Sequence, residues 1–173
     1  MPKPTLADVW TVHDPMLSDN FDLVFTSLPG DPANTATMRE VTIQCKSAVK
    51  PGTTMAEVEV ELFGHKVMHG ARRTWSNDMS ITFVEDANGK ITKMLENWIE
   101  QIRKRESQHG HFKKDYAVKA TFNIYDQTGA TTATYTLHNC WPSDVQELSF
   151  EGAGGQALDS QATFKYDNVE RTL

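Results

Sequence analysis

The sequence is poor in the features that decide function outright. Cysteine occurs twice in 173 residues, as Cys45 and Cys140, far apart and in no Cys-x-x-Cys pair. A disulfide framework is therefore excluded, and each cysteine reads as a buried free thiol rather than half of a lone bridge. No apolar run approaches the length needed to cross a bilayer, so no membrane partner is expected. Met1 to Trp10 holds two prolines and no apolar core, unlike a signal peptide. A chain made and assembled in a cytoplasm is the expectation. Clustered positive charge is also scarce. The formal net charge is -6, and the only dense basic run is Arg103-Lys104-Arg105, followed by Lys113-Lys114. Tight nucleic-acid binding needs clustered cations to neutralise phosphates, so it is disfavoured.

Catalytic signatures are missing too. There is no Gly-x-Ser-x-Gly elbow, and Ser143, Ser149 and Ser160 have no special setting. The glycines from Gly152 to Gly155 lack the Lys-Ser/Thr pair of a phosphate loop and read as a turn. Six histidines invite a metal reading. His65 and His69 have helix-type ligand spacing but sit in a strand-like run, Val58 to Met68, where four residues span roughly 13 Å. His109 and His111 lie in a polar loop with no third or fourth ligand to name. No cofactor or metal is expected. Trp75, Trp98 and Trp141 read as packing residues.

What is present is period-two alternation. It runs through Phe21, Leu23 and Phe25; Val41, Ile43 and Cys45; Val58, Val60 and Leu62; Met79, Ile81 and Phe83; and Val118, Ala120, Phe122 and Ile124. It resumes at Ala133, Tyr135 and Leu137, at Leu148 and Phe150, and at Ala162, Phe164 and Tyr166. Such patterns put one face of each strand toward a core. Turn signals separate them, at Leu28 to Pro32, Pro51-Gly52, Gln127 to Gly129 and Gly152 to Gly155. Residues 117–137 read as a hairpin turning at Asp126 to Gly129.

One segment has the helical period instead. Ile91, Leu95, Trp98, Ile99 and Ile102 recur at helical spacing with Met94 beside them. Asp86 or Asn88 can cap the start, and Arg103 to Arg105 suit the last turn. This predicts one amphipathic helix at about 90–106, with Lys93, Asn97, Glu100 and Lys104 facing outward. The fold class is therefore mainly β: a β-sandwich or small barrel with one flanking amphipathic helix. A flexible arm is expected over residues 1–20 and one β-domain over residues 21–173.

The order of these pieces resembles the tail tube proteins of contractile-tailed bacteriophages. The resemblance runs from about Phe21 to Glu170. It starts with Val41 to Ala48, a strand entering a long hairpin, and continues through Gly70-Ala71-Arg72-Arg73-Thr74-Trp75, Glu85-Asp86 and a helix carrying Trp98. It is clearest in Cys140-Trp141-Pro142-Ser143-Asp144-Val145-Gln146-Glu147-Leu148-Ser149-Phe150, an aromatic-Pro pair, a short turn and a Glu-Leu strand. It closes with Gln161 to Asp167.

The resemblance implies a structural virion protein, not an enzyme. It implies hexameric rings of this chain, stacked into a tube in the virion tail, with sheath and baseplate or terminator proteins as partners. DNA would pass through without specific binding during ejection. The hairpin across Lys50, Pro51, Gly52, Thr53 and Thr54 would stack on the next ring; its bland reading is a surface hairpin. Glu57, Glu59 and Glu61 are candidates for the channel wall, where carboxylates repel phosphates; simple solvation is the alternative. Lys93, Asn97, Glu100 and Lys104 are candidates for a sheath-facing helix. The rival readings are the tube of a bacteriocin or secretion system, a monomeric ligand-binding β-barrel, and a metal enzyme built on His109 and His111.

Overall fold

The computed structural model describes residue 3 and residues 15–30, 34–151 and 155–172. The arm expected over residues 1–20 and the Gly152 to Gly155 turn lie mostly outside these residues. In chain order the elements are β1 (Phe21–Phe25), α1 (Asn34–Gln44), β2 (Cys45–Ala48), β3 (Thr53–Leu62), β4 (His65–Trp75), β5 (Asp78–Val84), α2 (Lys90–Ile102), α3 (Lys113–Tyr116), β6 (Val118–Tyr125), β7 (Thr131–Val145), β8 (Asp159–Lys165) and β9 (Asn168–Arg171).

Seven strands form one sheet in the order β1-β6-β7-β8-β5-β2, with β9 also on β7. The remaining two, β3 and β4, pair only with each other. The sheet folds over at β7. Residues 131–140 of that strand pair with β6, and residues 141–145 pair with β8. Just before the switch, at a bulge in the pairing with β6, Asn139 takes a left-handed φ of 56°. Its amide donates to Asp167 at 2.7 Å, and Lys113 donates to the same carboxylate at 2.6 Å. The corner is thus tied by side chains. Phe25 on β1 and Phe164 on β8 then meet with ring centroids 5.3 Å apart. In a flat sheet three strand spacings would separate them by roughly 14 Å.

The fold encloses one core. Leu23, Phe25, Met79, Ile81, Phe83, Ala120, Phe122, Leu137, Ala162 and Phe164 are buried in it from the strands. The apolar stripe of α2 (Ile91, Met94, Leu95 and Trp98) is buried in the same cluster. The Trp98 ring meets Phe25 edge-on at 5.6 Å and Phe164 at 5.7 Å. Its indole N–H donates to the Tyr116 carbonyl at 2.8 Å, so burial leaves no polar atom unpaired there. A buried aromatic of this size contributes roughly 3–5 kcal/mol against truncation to alanine.

The structure corrects several sequence-based expectations. Val41 and Ile43 are not strand residues; they lie on α1, and the strand begins at Cys45. Three alternating residues fit either period. Here Val41 is buried with Met38 packed beside it, while Ile43 is 72% exposed. The helix packs against β1 and β5. Thr42 donates its hydroxyl to the Leu23 carbonyl at 3.1 Å, so α1 shields the edge of β1. Helix α2 forms where expected but ends at Ile102, not near residue 106. Arg103 turns extended, with φ -153°, and pairs with Gly110. The Glu100 carboxylate accepts the Arg105 N–H at 3.0 Å. Leu148 and Phe150 belong to no strand, because β7 ends at Val145 and no described strand pairs beyond it. The hairpin of β6 and β7 does turn at Asp126 to Gly129, where the Asp126 carboxylate accepts the Thr128 and Ala130 N–H groups.

Candidate assembly surface

Two pairings make one long ribbon. Strand β2 pairs with β5, and β3 pairs with β4. The ladder crosses the gap between them, through Val49 N–H to Ser80 O at 3.2 Å and Ser76 N–H to Gly52 O at 3.4 Å. The inner half of the ribbon belongs to the core sheet. The outer half projects, and nearly every residue of β3 and β4 is exposed.

Lys50, Pro51, Gly52, Thr53 and Thr54 therefore do not form the turn of a hairpin. They sit midway along the ribbon, where the chain leaves the core sheet. The Lys50 ammonium lies 5.2 Å from the Tyr135 ring centroid, over the molecule's own sheet. Arg73 stacks on Trp75 at 4.4 Å, and these four residues help to line a cleft of about 430 Å³ at the ribbon's base. Pro51 is buried. This segment anchors the arm by cation–π contact and packing.

The turn lies at Phe63-Gly64, between the paired residues Leu62 and His65. Both turn residues have positive φ, 51° and 75°, as a two-residue type I′ hairpin loop requires. Asn-Gly is the usual choice there. A phenylalanine in the left-handed region costs roughly 1–2 kcal/mol, and Phe63 is fully exposed at 101%. The run from Val58 to Met68 is thus two strands folded on each other. The lone Gly64 inside a strand pattern was the signal for it.

The register sorts the ribbon's two faces. Val58, Val60 and Leu62 stand opposite His69, Val67 and His65 on one face. Glu57, Glu59 and Glu61 stand opposite Gly70, Met68 and Lys66 on the other. The Lys66 ammonium is 2.6 Å from the Glu59 carboxylate, an exposed pair of little energetic weight. The apolar face is open, with Val58 at 49% and Leu62 at 54% exposure. A two-stranded ribbon of this kind is marginal in water by itself, and an uncovered apolar face on it marks a contact surface.

The four outward helix residues separate. Lys93 is exposed on α2, Asn97 and Glu100 are half-buried, and Lys104 lies beyond the helix end in the loop after Ile102. Asn97 is covered by the turn at Gly30, where a Cβ would meet the Asn97 carbonyl oxygen at 3.0 Å. At the other end of α2, Glu85 accepts the Ile91 and Thr92 N–H groups, both at 2.9 Å. Asp86 accepts the Lys90 N–H at 2.9 Å, and this bond holds its carboxyl below the ordinary value. The N-cap position itself is Gly89; of the two residues expected to cap the helix, Asp86 and Asn88, it is Asp86 whose carboxylate accepts a helix N–H. Both cysteines are free thiols, pushed up to about 12 by burial, and the charge of Asp22 adds to the effect at Cys45. His65 and His69 lie four residues apart on β4. Among the described residues no group of acids, histidines and cysteines is placed to hold a metal.

The arrangement offers contact surface, not chemistry. The second edges of β2, β9 and the projecting ribbon have no partner strand among the described residues. A family model described as phage tail tube protein matches residues 16–171. No curated protein matches the chain in sequence. Among solved structures, the chain is similar to one in the extended-state sheath/tube terminator of the PVC extracellular contractile injection system. The identity is 14%, with 94% of this chain and 100% of that chain covered and a TM-score of 0.66. It is similar to a chain of the anti-feeding prophage baseplate at 13% identity, with 92% and 97% covered and a TM-score of 0.62. A chain of the PVC sheath-tube complex in the extended state matches at 12% identity, with 98% and 99% covered and a TM-score of 0.62. At these identities the likeness is one of fold.

Proposed function

Because the chain belongs to the phage tail tube protein family, we propose that it forms hexameric rings that stack into the tube of a bacteriophage tail and conduct DNA during ejection. As a member of that family it is a structural tube subunit and not an enzyme. The observation that carries the proposal is the projecting ribbon. Its apolar face is uncovered among the described residues, and another subunit at high local concentration would cover it in every copy. Heterologous contacts of this kind close into rings or propagate as filaments, and a tube uses both.

With Val58, Val60 and Leu62 covered by a neighbour, Glu57, Glu59 and Glu61 on the opposite face point away from that contact. This favours the acidic row as channel wall, where it repels the phosphates of passing DNA. Exposed Lys93 on α2 is offered to a surrounding sheath, and a terminator or baseplate protein would meet the ends of the tube. The tube of a related contractile machine uses the same surfaces and differs in cargo.

The test is negative-stain electron microscopy of the purified protein over a range of concentrations, alone and with its baseplate components. Rings and hollow tubes of uniform width are expected. A chain that stays monomeric under all these conditions would overturn the reading.

A further inference from the structure

The cleft at the ribbon's base collects cations from three parts of the chain. Lys50 comes from the crossing between β2 and β3, Arg73 from the returning strand β4, and Arg171 from β9, where it stands opposite Tyr135. In a chain of net charge -6 this is a local reversal, and no described residue of the lining is acidic. Neither Lys50 nor Arg73 has a carboxylate partner among the described residues. The acids nearby in the chain are placed otherwise. Glu170 precedes Arg171 but faces His138, 3.4 Å away. Glu57 follows Thr53 and Met55 in the two-residue period of β3, so it shares a face with Arg73, the partner of Met55, without forming an ion pair with it.

We infer that this cleft binds a small phosphate-class oxyanion, inorganic phosphate or a phosphate monoester, between the ribbon and the sheet it leaves. Two of the cations are held in place before any ligand arrives. The Lys50 ammonium lies 5.2 Å from the Tyr135 ring centroid, and the Arg73 guanidinium stacks 4.4 Å from that of Trp75. A side chain already ordered on a ring loses less freedom when a ligand binds. Stacking occupies the face of the guanidinium and leaves its N–H edge, which a weak bond to Thr53 Oγ1 at 3.4 Å uses only in part. A guanidinium edge beside an ammonium suits the several oxygens of a phosphate. A polyanion such as DNA fits less well, because the row Glu57, Glu59 and Glu61 extends from the same face and repels each further phosphate. Bound in the cleft, the anion bridges the base of the ribbon to β9 and holds the ribbon's angle to the core. The site lies within one chain, so the inference does not depend on the tube reading.

The test is equilibrium dialysis of the unassembled chain against labelled inorganic phosphate, with chloride holding the ionic strength constant. One saturable site per chain is expected, with a Kd on the order of 1 mM. Arg73→Gln and Lys50→Gln should each weaken binding about tenfold. Glu57→Gln should tighten it by removing a like charge from the same face, a gain that a misfolded chain cannot imitate. Binding that fails to saturate, or that is the same in all three variants, would show diffuse attraction only and overturn the site. Displacement of the label by a short DNA duplex at equal phosphate concentration would hand the cleft to a nucleic-acid backbone and overturn the small-ligand reading. Saturating phosphate should also slow hydrogen exchange at residues 53–55 and 73–75. Unchanged exchange at a filled site would overturn the bridging role. None of these outcomes bears on whether the chain forms tubes.

Discussion

At the scale of single residues, the strained and the capped positions have different causes. Phe63 holds a left-handed backbone, φ 51°, at a two-residue turn that demands it, and its ring is fully exposed among the described residues. Asp86 is the opposite case, since its carboxylate serves the fold locally by accepting the Lys90 and Asn88 N–H groups at 2.9 and 3.1 Å. Those bonds lower its proton affinity below the ordinary 3.8, with the Lys90 N–H the larger cause. A carboxyl lowered in the folded state contributes stability above its unfolded value and loses it as pH falls through the folded one. Asp86→Ala should therefore lower the melting temperature by a few degrees at pH 7. That difference should narrow as pH falls below about 3.8, because the unfolded carboxyl then takes up its proton before the folded one does. A penalty independent of pH in thermal melts would show that packing, not the charged cap, is what Asp86 supplies.

The elements divide the labour between core and contact. Helix α2 is committed to the core by Trp98 and its neighbours, and only its Lys93 side is open. Beyond its base, the outer ribbon is exposed along both strands among the described residues. Charge reversal separates these surfaces. Replacing Glu57, Glu59 and Glu61 with lysine should leave tube assembly intact and slow DNA delivery, measured as ejection from particles carrying the variant. If the variant makes no tubes, that strand is an interface and not a channel wall. Lys93→Glu on α2 should leave tubes unchanged and weaken sheath binding in co-sedimentation; unaltered binding would remove α2 from the sheath contact.

For the whole molecule, stability is unevenly distributed. The curled sheet and α2 share one dry core, while the ribbon from Thr53 to Trp75 rests on its own ladder and on the anchors at its base. Local opening follows buried contact. Hydrogen exchange over residues 53–75 should be fast in the monomer and slow by an order of magnitude or more in tubes. The core amides of β5, β7 and β8 should change little. Equal exchange in both states would mean that assembly does not bury the ribbon.

The sequence by itself determined what depends on local period and on missing chemistry. Strands at Phe21, Met79, Val118, Ala133 and Ala162 show in their alternation, because each buries one face. Helix α2 shows in its apolar stripe, because all of that stripe except the exposed Ile99 packs in or against the core. The lack of metal and nucleophile motifs pointed away from catalysis before any fold was known. Tertiary structure alone decided the rest. Val41 and Ile43 alternate like a strand, yet the open edge of β1 draws them into a helix. Leu148 and Phe150 alternate too, yet no strand lies beside them. The corner at Asn139 needs Lys113 and Asp167, which are distant in sequence. The cleft at the ribbon's base exists only because Lys50 and Arg73 lie beside β7 and β9. Local period reports which side chains share a face; which partner meets that face is set by contacts between segments far apart in the chain.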